Sequence, residues 1–196
     1  MVTSYIILIM LVGGTRLLEL RISKRNTAWA FENSGFEVGK EHFKFMTVLH
    51  TTFLISCVVE VILLHRPFIP ALGYSMLILA IGTQAIRFYT ISVLGKLWNV
   101  RVIIIPNQPI IKRGLYKYMR HPNYLAVIVE IVALPMIHTA WITAFSFSIL
   151  NAWMLTKRIR CEEKALSKHC NYMSNFKYIG RFFPSIKKEG SQFDAG

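Results

Sequence analysis

Hydrophobic residues form long blocks along this chain, and short stretches rich in lysine and arginine separate them. Three of the blocks cover residues 2–20, 45–64 and 68–94. A helix needs about 20 residues to cross a hydrocarbon core that is roughly 30 Å thick. Each of these blocks therefore predicts one transmembrane helix.

A fourth block, residues 124–156, is too long for a single crossing. Pro135 and the polar pair His138 and Thr139 lie near its middle, and proline breaks or kinks a helix. The block therefore predicts a helical hairpin of two short, tilted spans. The fold class that follows is an all-α, polytopic membrane protein with about five transmembrane helices.

The positions of lysine and arginine agree with five passages. Segments 21–44, 95–121 and 157–188 contain five, six and nine of the 23 basic residues. All three segments then lie on one side of the membrane, which the positive-inside rule makes the cytoplasmic side. We expect the N-terminus outside, the C-terminus in the cytoplasm and a single membrane domain over residues 1–188. Residues 189–196 would form a polar tail.

Composition also favours a membrane protein, since 54% of the 196 residues are hydrophobic and the mean hydropathy is +0.43. The net charge of +13 comes from basic residues that punctuate the apolar blocks. This pattern favours membrane lipids over nucleic acid as a partner. Cys57, Cys161 and Cys170 have no metal-ligand spacing, so we expect reduced thiols and no metal.

The connection at residues 95–123 is long for a compact membrane protein, which is itself a sign of function. Its "VRVIII" segment is typical of a strand, "PNQP" is typical of a turn, and Gly114 marks the return to the membrane. Aromatic residues recur in and beside it, among them Tyr116 and Tyr124. A belt of aromatic and basic anchors for lipid headgroups would explain the same residues.

The "RHPNY" segment, residues 120–124, predicts the start of the next helix. Pro122 suits a first helical turn, where its missing N–H is not needed. The free N–H groups and positive dipole end of that helix could hold an anionic ligand. Arg120 and His121 would then lie at the rim of the site, although membrane anchoring alone also explains them.

A second polar cluster, "LTKRIRCEEKAL", follows the last span. Arg158 and Glu162 are four residues apart and share one helix face. Glu163 points about 100° away from Glu162. A solvated helix with weak ion pairs would also explain the segment, but this is the only acidic doublet in a strongly basic chain.

Several charged residues fall inside the predicted spans. Arg16 and Glu19 are three residues apart and can pair or reach the interface, and Arg87 can reach the interface similarly. Glu130 lies about 12 Å along the helix from Pro122. A buried carboxylate should face the bundle or a wet cavity. A structural pairing, with Arg87 as the candidate partner, is favoured over a role in a substrate pocket, and both are open.

Taken together, "GLYKYMRHPNY", the hairpin, "RIRCEEKAL", Tyr172 and "RFFP" resemble the isoprenylcysteine carboxyl methyltransferase family over residues 94–184. The segments "LELRISKRN", "VGKEHF" and "LGKLWN" resemble the bacterial branch of that family. Some members of that branch lie beside type III polyketide synthases and methylate alkylpyrones. The resemblance implies a bacterial cell-membrane enzyme, with a polyketide synthase as a partner that supplies substrate.

The resemblance also implies S-adenosyl-L-methionine as the cofactor. The family's cofactor-binding positions correspond to Gln108, Pro109, Ile110, Ile111, Tyr116, His121, Pro122, Asn123, Tyr124 and Glu162. The first four would line the adenine side, and residues 121–124 would cover the ribose and methionine part. Arg101 falls at a further cofactor contact, and Arg158 would meet an oxygen of the substrate.

Methyl transfer to a lipophilic acid suits this set of residues. The reaction needs mainly alignment and exclusion of water, and an acceptor that is already an anion needs no general base. Two alternatives stay open. Sterol reductases, which use NADPH, also carry a "GL…RHPNY…E" segment, in which Glu130 would gain importance. A scaffold whose basic loops only bind headgroups is the other.

Overall fold

The structure, a computed structural model, describes residues 1–183 and consists mainly of helices. The helices are α1 Val2–Glu32, α2 Lys40–Leu63, α3 Pro70–Leu94, α4 Pro122–Met136, α5 Trp141–His169 and α6 Tyr172–Asn175. Two short strands, β1 Phe36–Val38 and β2 Val102–Ile104, lie in the connections. The structure confirms the prediction that the protein is mainly α-helical. The predicted tail at 189–196 lies outside the described residues, as does Pro184 of "RFFP".

Two segments of the described chain are long and apolar enough to cross a membrane. They are Lys40–Leu63 and Pro70–Leu97, in which 18-residue stretches reach mean hydropathies of 1.9 and 1.6. They coincide with the second and third predicted spans. Large apolar side chains such as Val48 and Ile78 are exposed on them, as expected for helices that face lipid. The count of five passages and their orientation stay predictions.

The fourth apolar block forms two helices, as predicted. α4 begins at Pro122, and the chain turns after Met136, where Ala140 N donates to Pro135 O over 3.0 Å. Thr139 takes a left-handed conformation with φ of 53° in this turn. The second helix is longer than predicted, since α5 continues through residue 169.

α1 also extends beyond its predicted end near residue 20. The basic stretch that follows contains no helix-breaking residue, and the added turns are held by the loop after α3. Ser23 Oγ donates to Asn99 Oδ1 over 2.7 Å, and Asn26 Nδ2 donates to Trp98 O over 2.6 Å. The helix therefore runs out of the apolar bundle and supports the long connection.

The strand predicted from "VRVIII" exists as β2 and pairs with β1 in an antiparallel ladder. Val38 lies opposite Val102, and Phe36 lies opposite Ile104. β1 comes from the segment between α1 and α2, which the apolar pattern assigned to a loop. The ladder ties this segment to the connection between α3 and α4.

The charged residues inside the bundle pair with one another. Arg16 Nη1 donates to Glu19 over 2.8 Å, and Arg16 Nη2 donates to Glu130 Oε2 over 2.6 Å. Arg87 is buried and donates to Glu19, with Nε 3.1 Å from Oε1. The predicted pairing of Arg87 with Glu130 is therefore wrong, because Arg87 pairs with Glu19 instead; its position relative to the membrane interface stays a prediction. The rotation of α3 turns Arg87 toward α1, while Gln84, one turn earlier, donates to Glu130 over 3.1 Å.

Candidate functional site

A cavity of about 750 Å³ lies between α1, α2, α4, α5 and the connection at residues 95–121. Its wall near that connection, here called the loop side, is rich in polar and aromatic residues, including Gln108, Tyr116, Asn123, Tyr124, Arg158 and Glu162. Its wall between α1 and α2, here called the helix side, is mainly apolar and includes Gly13, Gly14, Leu17, Leu54 and Ile55. The cavity therefore joins two chemically different environments.

Arg158 is held in a fixed position on the loop side. Its Nε donates to Tyr124 Oη over 2.8 Å, and its Nη2 donates to the carbonyl oxygen of Val100. The Tyr124 hydroxyl in turn donates to Glu162. The Arg158 side chain is buried and lines the cavity, and its Nη1 has no hydrogen-bond partner in residues 1–183. The Nη1 group of the guanidinium is thus available to a ligand.

Glu163 joins three segments behind the cavity. Its carboxylate accepts hydrogen bonds from His121 Nε2 over 3.1 Å and from Arg181 Nη2 over 2.6 Å. Arg120 Nη1 lies 3.1 Å from the same carboxylate. Burial alone would raise the pKa of Glu163, but the hydrogen bonds from His121 and Arg181 outweigh it and lower this pKa to about 2. The carboxylate is therefore ionised at neutral pH.

The backbone strengthens the same junction. Arg120 N donates to Gly180 O and His121 N donates to Arg181 O, both over 3.0 Å. The segment before α4 is thus paired with the segment that follows α6. This pairing bears on the anion site that was predicted at the start of α4. The backbone N–H of His121 is bonded to Arg181 O and its Nε2 to Glu163, so neither group is free to bind an anion.

The turn at 105–108 is fixed against the end of α5. Asn107 N donates to His169 O over 2.9 Å, and Cys170 Sγ donates to Ile105 O over 3.3 Å. Asn107 has a φ of 59°, a left-handed conformation that asparagine tolerates in turns. The turn directs the next four residues to the cavity, which are Gln108, Pro109, Ile110 and Ile111.

Tyr116 forms part of the wall as predicted for an aromatic side chain there. It lies in a short 3-10 helix, Gly114–Lys117. Gly114 has a φ of 58°, and a side chain at this position would collide with the Tyr89 hydroxyl. Burial, together with the charge of Glu162, raises the pKa of Tyr116, so the ring is a neutral, apolar surface with one hydroxyl.

Two aromatic side chains from α6 and its end complete the loop side. Tyr172 and Phe176 have ring centroids 4.9 Å apart, and both line the cavity. From the sequence, Tyr172 was noted only as part of a motif. Phe176 and the Val100 carbonyl were not predicted as parts of the site. The four-residue spacing of Tyr172 and Phe176, which places them on one helix face, could have indicated the pair.

The structure brings the predicted site residues together around this cavity, with one exception. Pro122 is fully buried and does not line it. Pro122 starts α4 and so positions Asn123 and Tyr124, which do. Arg101, predicted as a further cofactor contact, also lines the cavity. Its Nη1 is already used, because it donates to Glu37 Oε2 over 2.9 Å.

The fold and this cavity define a helical, membrane-associated protein with a candidate ligand site at an end of its bundle. Residues 76–168 match the isoprenylcysteine carboxyl methyltransferase (ICMT) family. The chain is 34% identical over 164 residues to protein YpbQ of Bacillus subtilis strain 168, covering 83% of this chain and 96% of that protein. It is 31% identical over 155 residues to a protein of Haemophilus influenzae, covering 78% and 88%.

The chain belongs to the isoprenylcysteine carboxyl methyltransferase family, as its motifs predicted. It is therefore a membrane enzyme of the methyltransferase kind. Both relatives are described only as uncharacterized proteins. They extend the likeness over most of the chain and add nothing about the acceptor.

Proposed function

We propose that the chain is an S-adenosylmethionine-dependent O-methyltransferase that acts on a lipophilic substrate at the membrane. The methylated atom is an acidic oxygen, either of a carboxylate or of a pyrone enol. The observation that carries this proposal is the continuity of one cavity from Gln108 and Glu162 to Leu54 and Ile55. A water-soluble cofactor and a lipid tail need these two environments side by side.

The residues on the loop side fit the cofactor. The Oδ1 atom of Asn123 is buried and has no partner in the described part of the chain, and a ligand hydroxyl or amine would satisfy it. Glu162 supplies a carboxylate for a cationic amine. Ile110, Ile111 and Tyr116 supply apolar and aromatic surface for an adenine ring.

The chemistry is a displacement at a methyl carbon. When bound, S-adenosylmethionine supplies a methyl group on a positively charged sulfur. A lone pair of the acceptor oxygen forms the new carbon–oxygen bond while the carbon–sulfur bond breaks, and the released electron pair stays on sulfur. An acidic acceptor is an anion at neutral pH, so no base is required.

Arg158 orients the acceptor in this proposal. Its free Nη1 can donate a charge-assisted hydrogen bond to the acceptor oxygen. Tyr124 and the Val100 carbonyl hold the other side of the guanidinium, so its direction is set before the substrate arrives. Such preorganised alignment lowers the entropic part of the barrier.

The surrounding segments exclude water from the reacting atoms. Tyr172 and Phe176 close one side, and the hydrogen bonds of Glu163 hold the segment around Arg181 against the start of α4. Removal of water strengthens the interaction between Arg158 and an anionic oxygen.

The position of Glu130 gives no support to the reductase alternative. In that reaction Glu130 would gain importance, and it would be expected at the ligand cavity. Glu130 lies six residues beyond Tyr124, about 9 Å along α4, and its carboxylate accepts hydrogen bonds from Arg16 and Gln84.

The proposal also includes five membrane passages, with the loop side of the cavity in the cytoplasm, and a polyketide synthase as the source of the substrate.

Methyl transfer tests the proposal directly. Bacterial membranes that contain the protein are incubated with methyl-labelled S-adenosylmethionine, and the extracted lipids are analysed by mass spectrometry. We expect a labelled methyl ester or enol ether that is absent from membranes with Arg158→Ala. Purified protein should bind the cofactor in calorimetry, and Glu162→Ala and Tyr124→Ala should weaken this binding. If none of the three proteins binds it, the proposal is wrong.

A further inference from the structure

Two of the polar side chains on the helix side of the cavity have free hydrogen-bonding atoms that the proposed reaction does not use. Arg16 of α1 and His50 of α2 line the cavity among the apolar residues Gly13, Leu17 and Leu54. Polar groups in the membrane-embedded part of a protein are costly and usually mark a functional site. Their free hydrogen-bonding atoms show what ligand group they can take.

His50 presents a hydrogen-bond acceptor to the cavity. Its Nδ1 lies 3.0 Å from the carbonyl oxygen of Met46 in the same helix. A carbonyl oxygen only accepts, so Nδ1 carries the hydrogen and the Nε2 of the neutral ring carries a lone pair. Nε2 has no partner among the described residues.

Arg16 presents a hydrogen-bond donor to the same cavity. Its Nη1 is used by Glu19 and its Nη2 by Glu130. The Nε–H has no partner in residues 1–183, although the side chain is 17% exposed. The two carboxylates fix the guanidinium and offset its charge, so a neutral ligand group suits the free Nε–H better than an anion.

Arg16 and His50 lie at the same level of the bundle. α1 and α2 are consecutive, antiparallel helices, and a side chain on Gly13 would begin 3.8 Å from Leu54 Cδ1. Arg16 lies about one turn after Gly13, and His50 lies about one turn before Leu54. The donor and the acceptor thus face one region of the cavity from neighbouring helices.

This region is separated from the reacting end by apolar residues. Arg16 is bonded to Glu130, which lies about 9 Å along α4 from Tyr124, the partner of Arg158. The cavity wall between the two levels contains Val127, Met154 and Leu155. A substrate that reaches both levels has an apolar stretch between its acidic end and its next polar group.

We propose that Arg16 and His50 form a second polar subsite that recognises a hydroxyl group in the tail of the lipophilic substrate. A hydroxyl can donate to His50 Nε2 and accept from Arg16 Nε at once. The substrate class that follows is a long-chain acid or enol with a hydroxyl along its chain. This inference rests on the proposed function, because it takes the occupant of the cavity to be the lipophilic acceptor.

Competition binding tests the subsite without methyl transfer. The purified full chain in detergent is loaded with a fluorescent fatty acid, which is then displaced by saturated long-chain acids. The competitors are the unsubstituted acid and acids with one hydroxyl next to the carboxylate, in mid-chain or at the chain end. We expect the mid-chain hydroxyl acid to bind about three- to tenfold more tightly than the others.

The variants assign this preference to its residues. His50→Leu should remove the preference, and His50→Gln, which keeps an acceptor, should retain part of it. Thr51→Val removes a hydroxyl from the same wall and should leave the preference unchanged. S-adenosylmethionine binding, measured by calorimetry in the same samples, should be equal in wild type and His50→Leu, which shows that the variant is folded.

Two results would overturn the subsite: equal binding of all acids to wild type, or a preference that survives in His50→Leu. The proposed function fails on a different readout, the absence of cofactor binding and of labelled product. Methylation without a hydroxyl preference therefore rejects the subsite alone. A hydroxyl preference without cofactor binding supports the subsite and rejects the methyltransferase proposal.

Discussion

Tyr124 of α4 donates a hydrogen bond to the carboxylate of Glu162 on α5. The same hydroxyl accepts a hydrogen bond from Arg158 Nε. Arg158 and Glu162 share a helix face, as their spacing predicted, but in the described structure the hydroxyl of another helix links them. The direction of the ligand-facing guanidinium therefore depends on a contact between two helices.

Replacement of Tyr124 by phenylalanine should slow methyl transfer about tenfold, the effect of about 1.4 kcal/mol in the barrier. The ring remains to fill the wall, so the fold should be unaffected. Initial rates with labelled cofactor measure the change. Tyr118→Phe is the matched control, because Tyr118 is an exposed tyrosine in the connection that precedes α4, and its rate should equal that of wild type. A wild-type rate in Tyr124→Phe would contradict the linking role.

Arg158→Lys should have a larger effect, about 100-fold or more on the rate, although it keeps the positive charge. A lysine ammonium cannot contact Tyr124, the Val100 carbonyl and a ligand oxygen with the fixed fork of a guanidinium. Arg160→Lys, at an exposed position of the same helix, is the control and should be neutral. Rates within a few fold of each other for the two variants would exclude the proposed orientation of the acceptor.

Much of this site follows from local features of the sequence. The proline of "RHPNY" predicts where α4 begins, since proline favours a first helical turn. The hairpin follows from Pro135 and its polar neighbours, and the strand follows from β-branched residues before a turn. Each of these features depends on a few adjacent residues, and the motif order adds the family.

Contacts between distant segments could not be predicted from the sequence. Arg87 and Arg16 are both plausible partners for Glu130, and the choice depends on how α1 and α3 are rotated in the bundle. The same limit applies to Glu163, whose partners Arg120 and Arg181 lie before α4 and after α6. Helix length was also underestimated, because hydropathy marks the apolar part of a helix and not its polar extension.

The two glutamates of the acidic doublet should differ in what they support. Glu163→Gln removes the charge that holds His121 and Arg181, so it should lower the free energy of unfolding by about 2 kcal/mol. Glu162→Gln should leave stability close to that of wild type and weaken cofactor binding. Thermal unfolding in detergent and calorimetry with S-adenosylmethionine measure the two effects. Equal effects of both variants on both readouts would show that the doublet acts as one unit.

The contribution of Glu163 should depend on pH. Its pKa is lowered to about 2 in the folded protein, below about 4.3 in the unfolded chain. A lowered pKa means that the stabilisation is complete above the unfolded value and is lost as pH falls through the folded value. The difference in Tm between wild type and Glu163→Gln should therefore be constant from pH 7 to about 5 and shrink toward pH 2. A difference that is the same at pH 3 and pH 7 would contradict this assignment.

The helix side of the cavity, between α1 and α2, should set the length of the tail that the substrate can carry. Gly14 lines the helix side, and no atom lies within 4 Å of the place where its side chain would begin. Gly14→Leu should fill that space and reduce methylation of long-chain acceptors about tenfold relative to short-chain ones.

Loss of folding would not explain such a result, because leucine has a higher helix propensity than glycine. The matched control is Gly82→Leu, since Gly82 also has free space around it but lies in α3, away from the cavity wall. Its ratio of long-chain to short-chain rates should equal that of wild type. The ratio is measured by mass spectrometry of products from mixed acceptors, and an unchanged ratio in Gly14→Leu would place the tail elsewhere. Both variants place the same side chain at a helical glycine. A difference between their rate ratios is therefore due to the filled cavity and not to a change in helix stability.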